Sequence, residues 1–470
     1  METKKIVIVG GGITGLSAAY HLQKQVSESN LSYDVKLVEA SNRLGGRIQS
    51  MHKDGFTIEL GPDSLLARKP AAAKLVEELG LSDQIIRNGT GQSYILIKNK
   101  LHKMPKGAYM GVPKEIQPLL ASNVFSIKGK LRALMDQVIP KSNVKGDQSL
   151  GMFMRRRFGN ELVDHQIDPL LSGIHSGDID KMSLKAIYPL FYEAEQKHGS
   201  LMKGLQKSLP KVPKKPKADK KAEGAFMSLE KGLETLVKRL VEKLESNTIT
   251  INTAVDHIEK KEHGYHLLLS NGEVYKADAV IMAAPHTAVP AMLSQYDFLK
   301  TLYDIPATST ANVVMSFNQS DIKKDIDGTG FLVSRDSNYR ITACTWTHRK
   351  WPSTTPEGKA LLRCYVGKPD DQGIVDLSDE EITNIVLKDL NKIMKIKAKP
   401  EFSMITRYKN ARPQYNVGHL ERVAELRANT SKELPGIFLT GSSYDGVGIP
   451  DCIEHGEKSA TDVLAFLNKS

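Results

Sequence analysis

The 470-residue chain has only three cysteines, Cys344, Cys364 and Cys452, scattered, odd in number and without a C-x-x-C pair. That excludes a disulfide framework and a cysteine-built zinc site, and no metal is expected; it fits a reducing, cytoplasmic setting. No run of 18 apolar residues exists, so no membrane-spanning helix is expected. A strand is expected within the first few residues, so no secretory signal is expected. Net charge is +11, yet the most basic stretch, Lys203 to Glu223, holds eight lysines, two acids, three prolines and no aromatic residue. Without side chains for bases to stack on, it is expected to be a disordered, solvated surface loop (about 207–223) and not a nucleic-acid platform. The charge remains compatible with an acidic substrate or an anionic membrane surface. Repeats and heptads are absent.

What is present starts near the N-terminus. The β-branched run Lys5-Ile-Val-Ile-Val9 feeds into Gly10-Gly11-Gly12-Ile13-Thr14-Gly15, and a helical pattern follows over Leu16 to Gln25. This is the strand–turn–helix entry of a dinucleotide-binding fold. Gly10 permits the tight turn, Gly12 lets the backbone approach a pyrophosphate, and Gly15 lets helix and strand pack closely. A second apolar run, Val35 to Glu39, ends in a carboxylate suited to a ribose diol. It comes 29 residues after Gly10, longer than usual, which is assigned to a polar loop over Ser27 to Ser32.

At this length two or three domains are expected. The fold class is α/β with α+β inserts: a Rossmann-like nucleotide domain assembled from residues 1–65, 226–290 and 409–470. In the second piece, Leu233 to Leu244 reads as helix, and Thr248 to Val255 and Ala277 to Ala284 read as strands. In the third, Gly436 to Gly441 is a short strand and Cys452 to Leu467 a helix. Residues 70–225 read as a mainly helical insert. Residues 291–408 alternate β-runs (Ala311 to Phe317, Arg340 to Thr347, Ala360 to Val366) with one helix, Asp379 to Met394.

Further motifs narrow the cofactor. Ala40-Ser-Asn-Arg43-Leu-Gly45-Gly46-Arg47 sets two glycines between two arginines, and Gly55-Phe56-x-x-Glu59-Leu60-Gly61-Pro62 follows. With Leu439-Thr-Gly441 … Gly446-Val447-Gly448 near the C-terminus, this order resembles the FAD-containing amine-oxidase-like superfamily. Ser442 and Ser443 stand where many members carry an acid, which leaves ribityl binding to backbone and hydroxyl groups. A narrower resemblance, to protoporphyrinogen/coproporphyrinogen oxidases, rests on four stretches. These are Met182-Ser-Leu-Lys-Ala-Ile-Tyr-Pro189 with Glu193 and Gly199-Ser200-Leu201; Pro413-Gln414-Tyr415-x-x-Gly418-His419; Gly446-Val-Gly-Ile-Pro-Asp-Cys-Ile453; and Gly61-Pro62 followed by Arg68-Lys69-Pro70. The basic, soluble character is most similar to the Gram-positive-type coproporphyrinogen III oxidases of heme biosynthesis.

The resemblance implies a six-electron oxidation of a porphyrinogen to a porphyrin, with oxygen reoxidising FAD and forming H2O2. It implies FAD contacts at Gly10 to Gly15, Glu39, Ala40, Gly46 and Arg47, then at Gly61, Pro62, Asp63 and Ser64. Val255, Tyr408, Gly441, Val447, Gly448 and Ile449 complete the set. Cys452 lacks the Gly-Gly-Cys-Tyr setting of flavinylated relatives, so FAD is expected to be non-covalent. Substrate candidates are Arg68 and Lys69 as a propionate clamp and Tyr365, in a substrate domain of residues 66–69 and 291–408. No residue is assigned as general base, because aromatisation drives the reaction. His175 is expected to be a polar surface residue. A transient contact with a ferrochelatase and a peripheral membrane contact through Tyr109 to Ile139 are further implications. The rivals are an amine oxidase, a carotenoid desaturase and a non-catalytic flavin-binding partner of a heme-pathway enzyme. The first needs an aromatic cage, yet Tyr444 has no evident aromatic partner and both tryptophans lie in the β-rich insert.

Overall fold

A computed structural model describes residues 3–29, 32–209, 224–335 and 337–469. Most of the loop expected at about 207–223 lies outside the described residues; Leu201–Ser208 before it is helical. Five parallel strands form one sheet, in the order Ile249–Thr250, Tyr33–Val38, Lys4–Val9, Ala279–Met282, Ile437–Leu439. Three distant stretches of chain therefore meet in one sheet. The strand alternation sends Ile6 and Ile8 into a core with Leu16, Leu22, Ile453 and Val463. Those partners belong to helices Ile13–Glu28 and Ile449–Leu467, which pack together. Val7 and Val9 point the other way, toward Leu267 and Leu269 of an antiparallel three-stranded sheet.

The first helix is longer than its expected span, running to Glu28. Of the polar loop assigned to Ser27–Ser32, Ser27 and Glu28 belong to the helix, Ser29 is a turn and Ser32 lies outside regular structure, while residues 30 and 31 lie outside the described residues. Glu28 is a good helix former and Ser27 a weaker one, and both sit in the last turn, where packing upstream decides the matter.

The second sheet has seven strands: Phe402–Pro413, Ala307–Asn318, Lys359–Val366, Ile341–Trp346, Gly330–Val333, Ser93–Ile97 and Lys100–Lys103. Helix Asp379–Met394 covers one face, burying Ile382, Val386 and Leu390 against Val313, Leu362 and Cys364. Its start is fixed by a reciprocal cap, Glu381 N–H to Ser378 Oγ (3.2 Å) and Ser378 N–H to the Glu381 carboxylate (2.9 Å).

Two stretches expected in the helical insert lie elsewhere. Hairpin Ser93–Lys103 joins the seven-stranded sheet, Ser93–Ile97 running parallel to Gly330–Val333. Its turn residues, Lys98 and Asn99, both have positive φ (43° and 67°), a tight hairpin turn made without glycine. Helix Pro70–Glu78 buries Ala72, Leu75 and Val76 in the core of the parallel sheet. Periodicity announces an amphipathic helix but not the core it joins. The remaining helices share their own core, with Phe153, Phe158, Leu162, Phe191 and Leu201. Among the described residues no helix is long and apolar enough to cross a membrane.

Candidate active site

The glycine-rich turn is built for a close-approaching ligand. Gly10 has φ +110°, and a Cβ there would meet the Ala283 backbone at 2.9 Å. A Cβ on Gly15 would lie 1.9 Å from the Gly10 carbonyl oxygen, so helix and strand touch only because Gly15 has no side chain. A Cβ on Gly12 would meet nothing within 4 Å. Gly12 caps the helix with no side-chain bond to its first N–H groups, and Ile13 and Thr14 follow without an acid in the first turn. Free donors, the positive end of the dipole and open space thus coincide, which fits a pyrophosphate. The Glu39 carboxylate accepts from Gly11 N–H (2.6 Å) and from Ser41 N–H (2.8 Å). Ala40 beside it is exposed. Val255 is buried one turn of chain after Thr253, whose N–H donates to the Glu39 carbonyl (3.0 Å).

The second glycine loop lies on the first. Gly45 N–H donates to Gly11 O (2.8 Å), and a Cβ on Gly46 would be 3.3 Å from Gly12 Cα. Arg47 then crosses the molecule, donating to Ala411 O (3.2 Å) and Ser442 Oγ (3.2 Å). Ser442, the hydroxyl standing in place of an acid, therefore holds an arginine. Gly441 (φ +106°) approaches Thr14, while Val447, Gly448 and Ile449 are half-buried at the start of the last helix.

Gly61 packs on the backbone of Arg47, where a Cβ would lie 1.8 Å from the Arg47 carbonyl oxygen. Pro62, Asp63 and Ser64 follow, half-buried. The Asp63 carboxylate bonds Lys350 Nζ (2.9 Å), Trp351 Nε1 (3.3 Å) and, as an ion pair, Arg363 (3.1 Å). Burial opposes its ionisation, but Lys350 and Arg363 outweigh burial and hold the carboxyl well below the usual carboxylate range. The side chain is fully engaged by protein, so any cofactor contact of Asp63 falls to its backbone. Arg363 is fully buried and also donates to Gly61 O. Nearby, Glu59 accepts from Leu233 N–H (2.6 Å) and Ser50 Oγ (2.8 Å), while burial pushes its pKa up to about 7.

The strand period places a set of polar residues on the sheet face away from helix Asp379–Met394. Arg363 and Tyr365 share it, the guanidinium lying over the Tyr365 ring (5.6 Å to its centroid). Tyr408 shares it too, donating to Leu60 O (3.2 Å). Arg68 lies over the Tyr109 ring (4.8 Å), and Lys69 pairs with Asp451. A propionate at Lys69 would have to compete with that carboxylate. His175 is not the surface residue expected. It is half-buried, with Nε2 3.1 Å from the Tyr188 hydroxyl. Burial, reinforced by the Arg412 charge, lowers its pKa to about 4 and keeps it neutral. Tyr444 points into the core beside the parallel sheet. Arg363, Lys350, Trp351 and Arg412 were not anticipated. The available signal was a charged residue inside an apolar strand, Leu361-Leu362-Arg363-Cys364.

The profile of flavin containing amine oxidoreductases matches residues 13–464. The chain belongs to that family and is a flavin-dependent oxidoreductase. It is similar to a protein named coproporphyrinogen III oxidase in Bacillus subtilis (strain 168), with 48% identity over 99% of this chain and 98% of that one. A Staphylococcus aureus (strain NCTC 8325 / PS 47) protein of the same name is 42% identical over 99% and 100%. A crystal structure from Exiguobacterium sp. 255-15 superposes with a TM-score of 0.87, at 38% identity, over all of both chains.

Proposed function

We propose that this chain is an FAD-dependent, oxygen-using porphyrinogen oxidase of heme biosynthesis, converting coproporphyrinogen III to coproporphyrin III. Protoporphyrinogen IX is a second substrate on the same chemistry. The observation that carries the reading is the end-to-end similarity to the Bacillus subtilis protein of that name. The glycine cradle, with open space at Gly12 and an acid at the second strand's end, Glu39, favours a dinucleotide flavin, and Cys452, a residue of the last helix buried in the core, favours non-covalent binding.

Bound FAD would supply a two-electron acceptor for a hydride from a meso carbon. Six electrons and six hydrogens leave per macrocycle, so three O2 become three H2O2. The protein's own part is positioning. The Asp63–Lys350–Arg363 cluster locks the Gly61–Ser64 backbone against Arg47, which fixes one wall. Tyr365 and Tyr408 give an aromatic, weakly polar surface for a flat guest. Burying roughly 400 Å² of macrocycle favours binding by about 10 kcal/mol before association costs. Arg68 and Lys69 supply cations at the rim, where a stranded propionate would otherwise oppose binding. His175 stays neutral and adds no repulsion to a cationic ring of residues. Seating Tyr444 in the core disfavours an aromatic cage for amines.

Incubation in air with coproporphyrinogen III, and separately with primary and secondary amines, tests this. Porphyrin fluorescence with matching H2O2 is expected from the first alone. Peroxide from amines without porphyrin formation would reject the reading. Heat or acid should release FAD into the supernatant, while a yellow pellet would show a covalent flavin.

A further inference from the structure

Arg412 is a cation without a counter-ion. Its Nε is buried and bonded to nothing, and among the described residues no carboxylate pairs with it. Burial and a second cation, Arg47, both work against its charge, and the neighbouring Tyr365 and Tyr408 are neutral phenols. Arg47 is held close by, its guanidinium donating to Ala411 O (3.2 Å). The backbone beside this pair is irregular. Strand Phe402–Pro413 pairs Tyr408 with Thr310 and Arg412 with Thr308, so it carries two more residues between those pairs than its partner does. The bulge contains Asn410 at φ +48°. Bulges cost pairing and re-aim side chains, and they concentrate beside active sites. Arg412 shares the face that holds Tyr408, as residues four apart in a strand do, and the bulge sets it opposite Thr308, between the residues expected at the flavin and His175 of the helical side. Two neighbouring guanidiniums with no acid are costly unless an anion arrives.

We propose that Arg412 receives one carboxylate of the porphyrinogen and thereby fixes which edge of the macrocycle enters first. This rests on the porphyrinogen reading and adds a specificity-determining residue to it, distinct from the Arg68–Lys69 rim. A guanidinium takes a carboxylate through two parallel N–H bonds, so it sets orientation as well as affinity. Such a site also leaves a signature that a structural arginine would not. Removing an unpaired, repelled charge should not destabilise the empty protein.

The test compares Arg412→Met and Arg412→Lys with wild type, all loaded with flavin. The probes are coproporphyrin III, followed by fluorescence, and its uncharged tetramethyl ester. Arg412→Met should bind coproporphyrin III roughly ten- to hundredfold more weakly. KM for coproporphyrinogen III should rise in step while kcat changes little. The ester should bind wild type and variant alike, Arg412→Lys should recover part of the affinity, and the Tm of porphyrin-free Arg412→Met should equal or exceed that of wild type. Unchanged coproporphyrin affinity, an equal loss for the ester, or a lower Tm would overturn the proposal. So would a shifted flavin reduction potential with porphyrin affinity intact, since the charge would then serve the flavin. If wild type itself binds no porphyrin, the functional reading fails first.

Discussion

Single residues around Arg363 carry opposite electrostatic assignments. Asp63 is held ionised by two cations, while Glu59, four residues earlier, is held protonated by burial. The consequence for stability follows from its sign. Glu59 keeps its proton in the folded protein up to about pH 7, but the unfolded chain releases it near its ordinary value of 4.5. The folded state binds more protons in that window, so stability falls as pH rises through it and levels off above about 7. Glu59→Gln removes this dependence. Its stability relative to wild type should improve from pH 5 to pH 8, by on the order of 3 kcal/mol at most, as read from denaturant midpoints. A constant difference across that range would show that Glu59 is ionised in the fold. At the rim, Arg68→Ala with Lys69→Ala should raise KM for coproporphyrinogen III more than it lowers kcat. An unchanged KM would leave Lys69 as nothing more than the partner of Asp451.

At the scale of elements, the glycine turn separates packing from binding. Gly15→Ala drives a methyl into the Gly10 carbonyl and should cost roughly 1–3 kcal/mol of stability. Gly12→Ala meets open space at an ordinary φ of −71°, so the protein should keep its stability and lose flavin affinity instead. Thermal melts of both, with and without added FAD, check the contrast. Equal behaviour of the two variants would mean the space at Gly12 is not where the cofactor passes. Legibility also divides here. The strand–turn–helix at Lys4–Glu28 and the helix Asp379–Met394 were readable because their periodicity and punctuation are local. Hairpin Ser93–Lys103 was not, since Asn99 with Lys98 makes its turn without glycine and its partner strand lies more than 200 residues away. The bulge at Asn410 has no local signal at all, because only its pairing with Thr308 and Thr310 defines it.

At the scale of the whole molecule, the site exists because separated stretches converge. Gly12, Glu39 and Arg47 come from the first sixty residues, Arg363 and Arg412 from the second sheet, and Ser442 and Gly448 from the C-terminal stretch. The sequence disclosed the first and last groups through glycine motifs. It hid the cations of the second sheet, because an arginine in an apolar strand acquires meaning only when Asp63 or Arg47 is known to stand opposite. Domain roles assigned along the chain were correspondingly coarse: helix Pro70–Glu78 reads as part of the helical insert yet packs on the parallel sheet.

The most direct measurement is an anaerobic titration of the FAD-loaded protein with coproporphyrinogen III, following flavin absorbance near about 450 nm and porphyrin fluorescence together. The account predicts that about three flavins bleach for every coproporphyrin formed, since each accepts two of six electrons. Flavin that stays oxidised while coproporphyrinogen is in excess, or porphyrin appearing without bleaching, would contradict it.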